Sequence, residues 1–104
     1  MKLRYTPAAI ADLEEIKSYI ADTLLTPDAA ANLMASIAAA CALLKDQPSL
    51  GPELRHKLHR EIDERFLIHK KYMIVYEVTD AFSILRVLDT RTDYLNILLH
   101  ELQD

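Results

Sequence analysis

The sequence predicts an α+β fold with the element order β-α-α-β-β-β-α, in which a helical hairpin precedes a three-stranded antiparallel meander. Two observations support this prediction. Apolar residues recur every three or four positions up to about residue 46, and between residues 65 and 88 they form short runs separated by tight turns. With 104 residues, 51% of them hydrophobic, the chain is expected to form a single domain, residues 1–104, around one core.

Two Thr-Pro pairs mark the starts of the predicted helices. Residues 2–5 alternate in polarity and predict a short strand, after which Thr6 is expected to cap a first helix and Pro7 to open it. Thr26-Pro27 repeats this signal and predicts a second helix to about Asp46. The first helix is expected to run for about five turns, with its acidic residues outward and five aliphatic residues inward: Ile10, Leu13, Ile16, Ile20 and Leu24.

Three strand patterns follow, over residues 65–69, 72–78 and 82–88, with a basic turn at Lys70-Lys71 between the first two. Residues 93–102 carry leucines at helical spacing and predict a short helix that ends the fold. The polar segment 53–61 is ambiguous and is assigned as a loop with one helical turn. Because the hairpin covers one face of the sheet, the opposite face is expected to be less covered.

Composition excludes several classes of protein. A net charge of -4 argues against a surface that coats nucleic acid. Cys41, the single cysteine, lies among alanines and leucines and is expected in the core of a cytoplasmic protein. No stretch is expected to approach the roughly 18 apolar residues of a membrane span. His56 and His59 are three apart but lack a supporting ligand cluster, so neither a metal nor a cofactor is expected.

Charge is concentrated where the last strand ends, in the segment Asp89-Thr90-Arg91-Thr92-Asp93. A cation beside the N–H groups of a starting helix is suited to an anionic group on a partner. Arg91 and Asp93 are also consistent with a local salt bridge and a helix cap. Both interpretations of this junction remain open.

Three segments resemble the RelE/ParE superfamily of type II toxins, in the order that the family has them. Residues 11–20 resemble its first helix, with an acidic-Leu pattern and a Tyr-Ile ending. Residues 72–78 resemble its central strand, and residues 87–93 resemble its final strand with an Arg-x-Asp ending. The resemblance implies the toxin of a toxin–antitoxin pair, associated with plasmid stabilization and growth inhibition, that forms a hetero-oligomer with its cognate antitoxin.

The superfamily has two activities, and the resemblance is closer to ParE-like members, which bind DNA gyrase. RelE-like members cleave mRNA in the ribosome and usually carry an arginine at the position of Met73. In the ParE-like interpretation there are no catalytic residues, whereas the RelE-like alternative implies four: Arg65, Arg91, Tyr94 and His100. A further alternative is a chain that binds its antitoxin but is no longer toxic. The candidate residues for binding the target or the antitoxin are Arg65, Lys70, Lys71, Arg86, Arg91, Asp93 and Tyr94.

Overall fold

The four strand patterns assemble into one sheet with helices on both of its faces. The structure is a computed structural model that describes residues 1–102. The predicted class and element order are confirmed, and the helical turn expected within residues 53–61 is present as a short helix. The strands are β1 (Leu3–Tyr5), β2 (Arg65–His69), β3 (Tyr72–Val78) and β4 (Phe82–Asp89), and the helices are α1 (Pro7–Ser18), α2 (Pro27–Asp46), α3 (Arg55–Leu58) and α4 (Tyr94–Glu101).

Thr6 starts α1 as predicted and also attaches the helix to the sheet. Its hydroxyl oxygen accepts a hydrogen bond from the Ala9 N–H at 3.2 Å, and Pro7 occupies the first turn. The same hydroxyl donates to the Leu85 carbonyl at 2.9 Å, and the Thr6 N–H donates to the Ile84 carbonyl. One residue therefore caps the helix and bonds to the edge of β4.

The tip of the hairpin differs from the prediction. α1 ends at Ser18 and continues as a π-helical turn, Tyr19–Thr23, so the five-turn helix was wrong in its last part. Thr26 makes no side-chain capping bond, because its hydroxyl donates instead to the Ile20 carbonyl at 3.0 Å. Leu25 adopts a left-handed backbone with φ 57°. A non-glycine residue in this conformation costs on the order of 1–3 kcal/mol.

The predicted inward face of α1 is confirmed at Leu13, Ile16 and Ile20 and wrong at its two ends. Ala9, Leu13, Ile16 and Ile20 belong to the core or pack against it, whereas Ile10 is exposed. Leu24, which ends the π turn, is exposed as well.

The sheet has the strand order β1-β4-β3-β2. β2, β3 and β4 form the predicted antiparallel meander, and β1 pairs with β4 in parallel. In the β3–β4 register Val75 lies opposite Arg86 while Tyr76 lies opposite Ile84, which leaves Leu85 as the extra residue of a β-bulge. The Thr6 hydroxyl donates a hydrogen bond to the carbonyl oxygen of this bulge residue.

Both faces of the sheet are covered, which corrects the expectation of a less covered second face. The hairpin packs on the side of Tyr72, Ile74 and Tyr76. On the other side, Met73 and Val75 have no exposed surface. α3 and α4 cover them in a second apolar cluster of Leu54, Leu58, Met73, Val75, Leu88 and Leu98. The ambiguous segment before β2 thus forms part of a second core.

α2 places Leu33, Ile37 and Leu44 against the sheet, together with Cys41, which was predicted in the core. Cys41 has no exposed surface, and burial raises the pKa of its thiol. By length and composition alone, α2 is apolar enough to cross a bilayer, and it is the single such helix among residues 1–102. The sequence-based expectation was therefore wrong on this point, although core helices of proteins outside membranes have the same composition.

Gly51 joins the loop after α2 to the hydroxyl of Tyr76. The Gly51 N–H donates to the Tyr76 hydroxyl at 3.0 Å, and this hydroxyl donates to the Pro48 carbonyl at 2.7 Å. Arg65 Nη1 donates to the Gly51 carbonyl at 2.7 Å. A Cβ at position 51 would lie 2.3 Å from the Phe66 carbonyl oxygen, so only glycine fits.

We expect Gly51→Ala to lower the free energy of unfolding by about 1–3 kcal/mol, because the added methyl group must displace strand backbone. Urea unfolding followed by circular dichroism measures this loss. Ser49→Ala, at an exposed neighbouring position, is the control and should change stability by less than about 0.5 kcal/mol. Equal losses in the two variants would show that the close approach at Gly51 is unimportant.

Candidate functional site

A groove of about 730 Å³ lies beside the tip of the hairpin. One wall is the second half of α1 with the π turn, and the other is formed by the adjoining ends of β3 and β4 and the start of α4. Apolar side chains line much of the groove, and charged residues stand on both walls. The apolar lining includes Ile16, Tyr19, Ile20, Leu24, Leu88 and Ile97.

Arg91 lies on the sheet wall of the groove, but its carboxylate partner is Asp89 and not Asp93. Its Nε and Nη2 atoms contact the two Asp89 oxygens at 3.1 and 2.8 Å, and its backbone N–H donates to the same carboxylate at 2.9 Å. Asp93 precedes α4 at the N-cap position without a side-chain capping bond. The Arg91 side chain remains 65% exposed and accessible to a partner.

The Arg91–Asp89 pair alters the titration of both groups. Hydrogen bonding from the Arg91 guanidinium holds the pKa of Asp89 below its usual value, against the smaller opposing effect of burial. Lys71, which also lines the groove, lowers the Asp89 pKa further. The same contact raises the pKa of Arg91.

Arg86 also lines the groove, but its guanidinium is paired with carboxylates of the protein itself. Nε and Nη2 donate to the two oxygens of Asp12 at 2.7 and 2.8 Å, and Nη1 contacts Glu101. The Val87 N–H donates to the same Asp12 carboxylate at 2.9 Å. The Arg86 and Asp12 side chains are only 15% and 12% exposed. These bonds, chiefly those to Asp12, raise the pKa of Arg86.

Asp12 was predicted on the outward side of α1, so the sequence analysis missed its role. The available signal was Arg86 itself, a charged residue inside an apolar strand pattern. Such a residue needs an ionic partner once the strand is buried. Asp12 immediately precedes Leu13 at the border of the apolar face, but the sequence does not show which carboxylate would be that partner.

The two lysines of the β2–β3 turn are placed differently. Lys71 lines the groove, with its Nζ 5.8 Å from the centre of the Tyr72 ring. Lys70 does not line the groove and occupies the turn with φ 57°. Of these two lysines, Lys71 can therefore contact a molecule bound in the groove, whereas Lys70 lies outside it.

Arg65 lies away from Arg91 among the four residues that the RelE-like alternative implies. Arg91 alone among them lines the groove. In the sheet, Arg65 lies opposite Tyr76, and Asp89 lies opposite Tyr72. Tyr72 and Tyr76 are four residues apart on β3, so Arg65 and Asp89 are about 13 Å apart along the strand direction. The Lys57 Nζ atom lies 5.9 Å from the centre of the Tyr94 ring, and His100 Nδ1 lies 2.9 Å from the Asn96 carbonyl oxygen.

The remaining histidines and the acidic residues do not assemble into a metal centre within the described part of the chain. His69 Nε2 lies 3.0 Å from the Ser36 hydroxyl, which links β2 to α2. His59 ends α3 in a left-handed conformation. Across residues 1–102, no group of three or more His, Cys, Asp or Glu side chains is close enough to hold an ion.

Comparison with known proteins identifies the family. Residues 3–94 match the family described as "ParE toxin of type II toxin-antitoxin system, parDE". A Sinorhizobium fredii protein named "Putative toxin Y4kP" is 32% identical over 97 residues, which span 93% of this chain and 96% of that protein. The chain belongs to the ParE toxin family and is a ParE-type toxin of a type II toxin–antitoxin system.

The fold agrees with this assignment. A solved structure described as "Chromosomal ParDE TA system from P. aeruginosa" superposes with a TM-score of 0.70. The alignment covers 86% of this chain and 95% of the other at 22% sequence identity. At that level of identity the likeness concerns the fold alone, and it confirms the predicted α+β class.

Removing the Asp12 carboxylate should destabilise the protein. Asp12→Ala leaves Arg86 mostly buried with one partner fewer and the Val87 N–H without an acceptor, and we expect a loss of about 3 kcal/mol in urea unfolding. Glu14→Ala, at an exposed position of the same helix, should cost less than about 0.5 kcal/mol. A similar small loss in both variants would show that Asp12 is dispensable.

The Asp89–Arg91 contact should make a pH-dependent contribution to stability. Because the pKa of Asp89 is lowered in the folded state, the contribution is present above the unfolded value of about 3.9 and is lost as the pH falls through the lower folded value. Urea midpoints of wild type and Asp89→Asn should therefore converge below about pH 4. A difference that stays constant between neutral pH and about pH 2 would contradict this assignment.

Proposed function

We propose that this toxin arrests growth by binding DNA gyrase in the cytoplasm, and that a cognate antitoxin neutralises it within a hetero-oligomer. The observation that carries the choice of target is the burial of Met73. This residue stands where RelE-like members usually have an arginine, and it has no exposed surface beneath α3 and α4. A thioether enclosed by leucines can neither contact a phosphate nor stabilise its negative charge.

The spacing of the other candidates supports the same proposal. Metal-free RNA cleavage needs a base, an acid and cations that surround one phosphate. The Arg65 guanidinium donates a hydrogen bond to the Gly51 carbonyl. Arg65 and Asp89 lie opposite different ends of β3, so Arg65 is distant from the junction that carries Arg91. Toxicity through surface contact with a protein requires no such convergence of catalytic groups.

Purified protein added to a gyrase supercoiling assay and to a translation reaction distinguishes the two targets. We expect supercoiling to be inhibited and the message to stay intact. Cleaved message with normal supercoiling would refute the gyrase proposal and support the RelE-like alternative. If bacteria grow normally while producing the toxin without its antitoxin, the non-toxic alternative is correct and this proposal fails.

His100, the acid–base candidate that is not also a binding candidate, provides a second test. His100→Asn removes the ring that would transfer a proton. An endoribonuclease that used His100 would lose about 10²–10⁴-fold in rate. A toxin that acts by binding gyrase should arrest growth as the wild type does, measured by colony counts after induction. Loss of arrest in a variant that is still folded by circular dichroism would contradict the proposal.

A further inference from the structure

α3 presents a group of basic side chains to solvent, outside the groove. Leu54 and Leu58 pack into the second apolar cluster, which leaves the other side of this short helix facing outward. Together with the two residues that follow the helix, the outward side chains form what we call the α3 surface: Arg55, His56, Lys57, His59 and Arg60. Residues 55–60 contain no acid, so the surface is locally positive on a chain with a net charge of -4.

Lys57 is held in place by aromatic rings. Its Nζ atom lies 5.8 Å from the centre of the Phe66 ring and 5.9 Å from that of the Tyr94 ring. These rings belong to β2 and α4, so two elements fix the position of the ammonium. Within residues 1–102, no carboxylate pairs with Lys57 or Arg60. Lys57 is therefore a positioned cation that keeps its charge for an external anion.

The composition of the α3 surface favours the phosphate backbone of duplex DNA. A protein partner would meet no apolar centre there, which protein interfaces usually have. A single strand is usually held by stacking its bases on aromatic rings. The two rings beside this surface already face the Lys57 ammonium. Duplex phosphates, in contrast, are bound by exposed lysine and arginine side chains without any apolar contact.

We propose that the α3 surface binds the phosphate backbone of duplex DNA, with Lys57 and Arg60 contacting the phosphates. Acidic residues limit the extent of this contact. Glu53 pairs with Arg55 at 2.6 Å, and Glu61 directly follows the basic segment. The contact therefore covers a few phosphates, which is compatible with the negative charge of the whole chain. This site adds a DNA contact to the toxin that does not depend on which enzyme the toxin inhibits.

A charge-matched pair of double variants tests the site. Lys57→Gln with Arg60→Gln removes two cations from the α3 surface, and Lys2→Gln with Lys17→Gln removes two exposed cations elsewhere. Lys57→Arg keeps the charge and is the conservative variant. The probe is a fluorescent DNA duplex of about 20 base pairs, and its affinity for each folded variant is measured by anisotropy between about 25 and 200 mM salt.

We expect the α3 double variant to bind about tenfold more weakly at low salt, and the slope of log affinity against log salt to fall by about two. The control double variant should change affinity by less than about threefold, and Lys57→Arg should bind as the wild type does. Equal losses in the two double variants, or no binding by the wild type at the lowest salt, would overturn the proposal. Tighter binding of a single-stranded RNA of equal length would assign the surface to RNA and also overturn it. The measurement contains no gyrase, so it stays valid if the gyrase proposal fails.

Discussion

The carboxylate of Asp12 is the group on which the arrangement of the other elements depends. β1 is only three residues long, so β4 continues beyond it with an edge that no strand covers. Asp12 accepts the Val87 N–H of this edge and binds Arg86, which also reaches Glu101 on α4. One acidic side chain of α1 thereby substitutes for a missing strand neighbour and links three elements.

This linkage places the groove at an end of the sheet. Because the hairpin covers one face and α3 with α4 cover the other, the strands present little free surface, and residues such as Met73 are enclosed. The groove opens where α1 runs past the sheet and meets the β4–α4 junction. The groove combines an apolar lining with charges of both signs, an arrangement typical of surfaces that bind other proteins.

Much of the fold could be predicted because its signals are local. The Thr6-Pro7 start, the apolar spacing of α2 and the strand patterns of the meander each depend on neighbouring residues, and the structure confirms them. The misses share a different cause. The π turn at the end of α1 has no sequence signal of its own, and the cover over the second sheet face depends on contacts between distant segments. The candidate site was predictable only as the Arg91 junction.

The sequence by itself determined the class of fold, the order of elements and the family resemblance, because periodicity, caps and turns are encoded over a few residues. Only the tertiary structure decided the partners of its charges. Arg91 pairs with Asp89, and Arg86 pairs with Asp12, which is 74 residues away in the sequence. Ion pairing depends on distance in space and on desolvation, and neither is set until the helices have packed against the sheet.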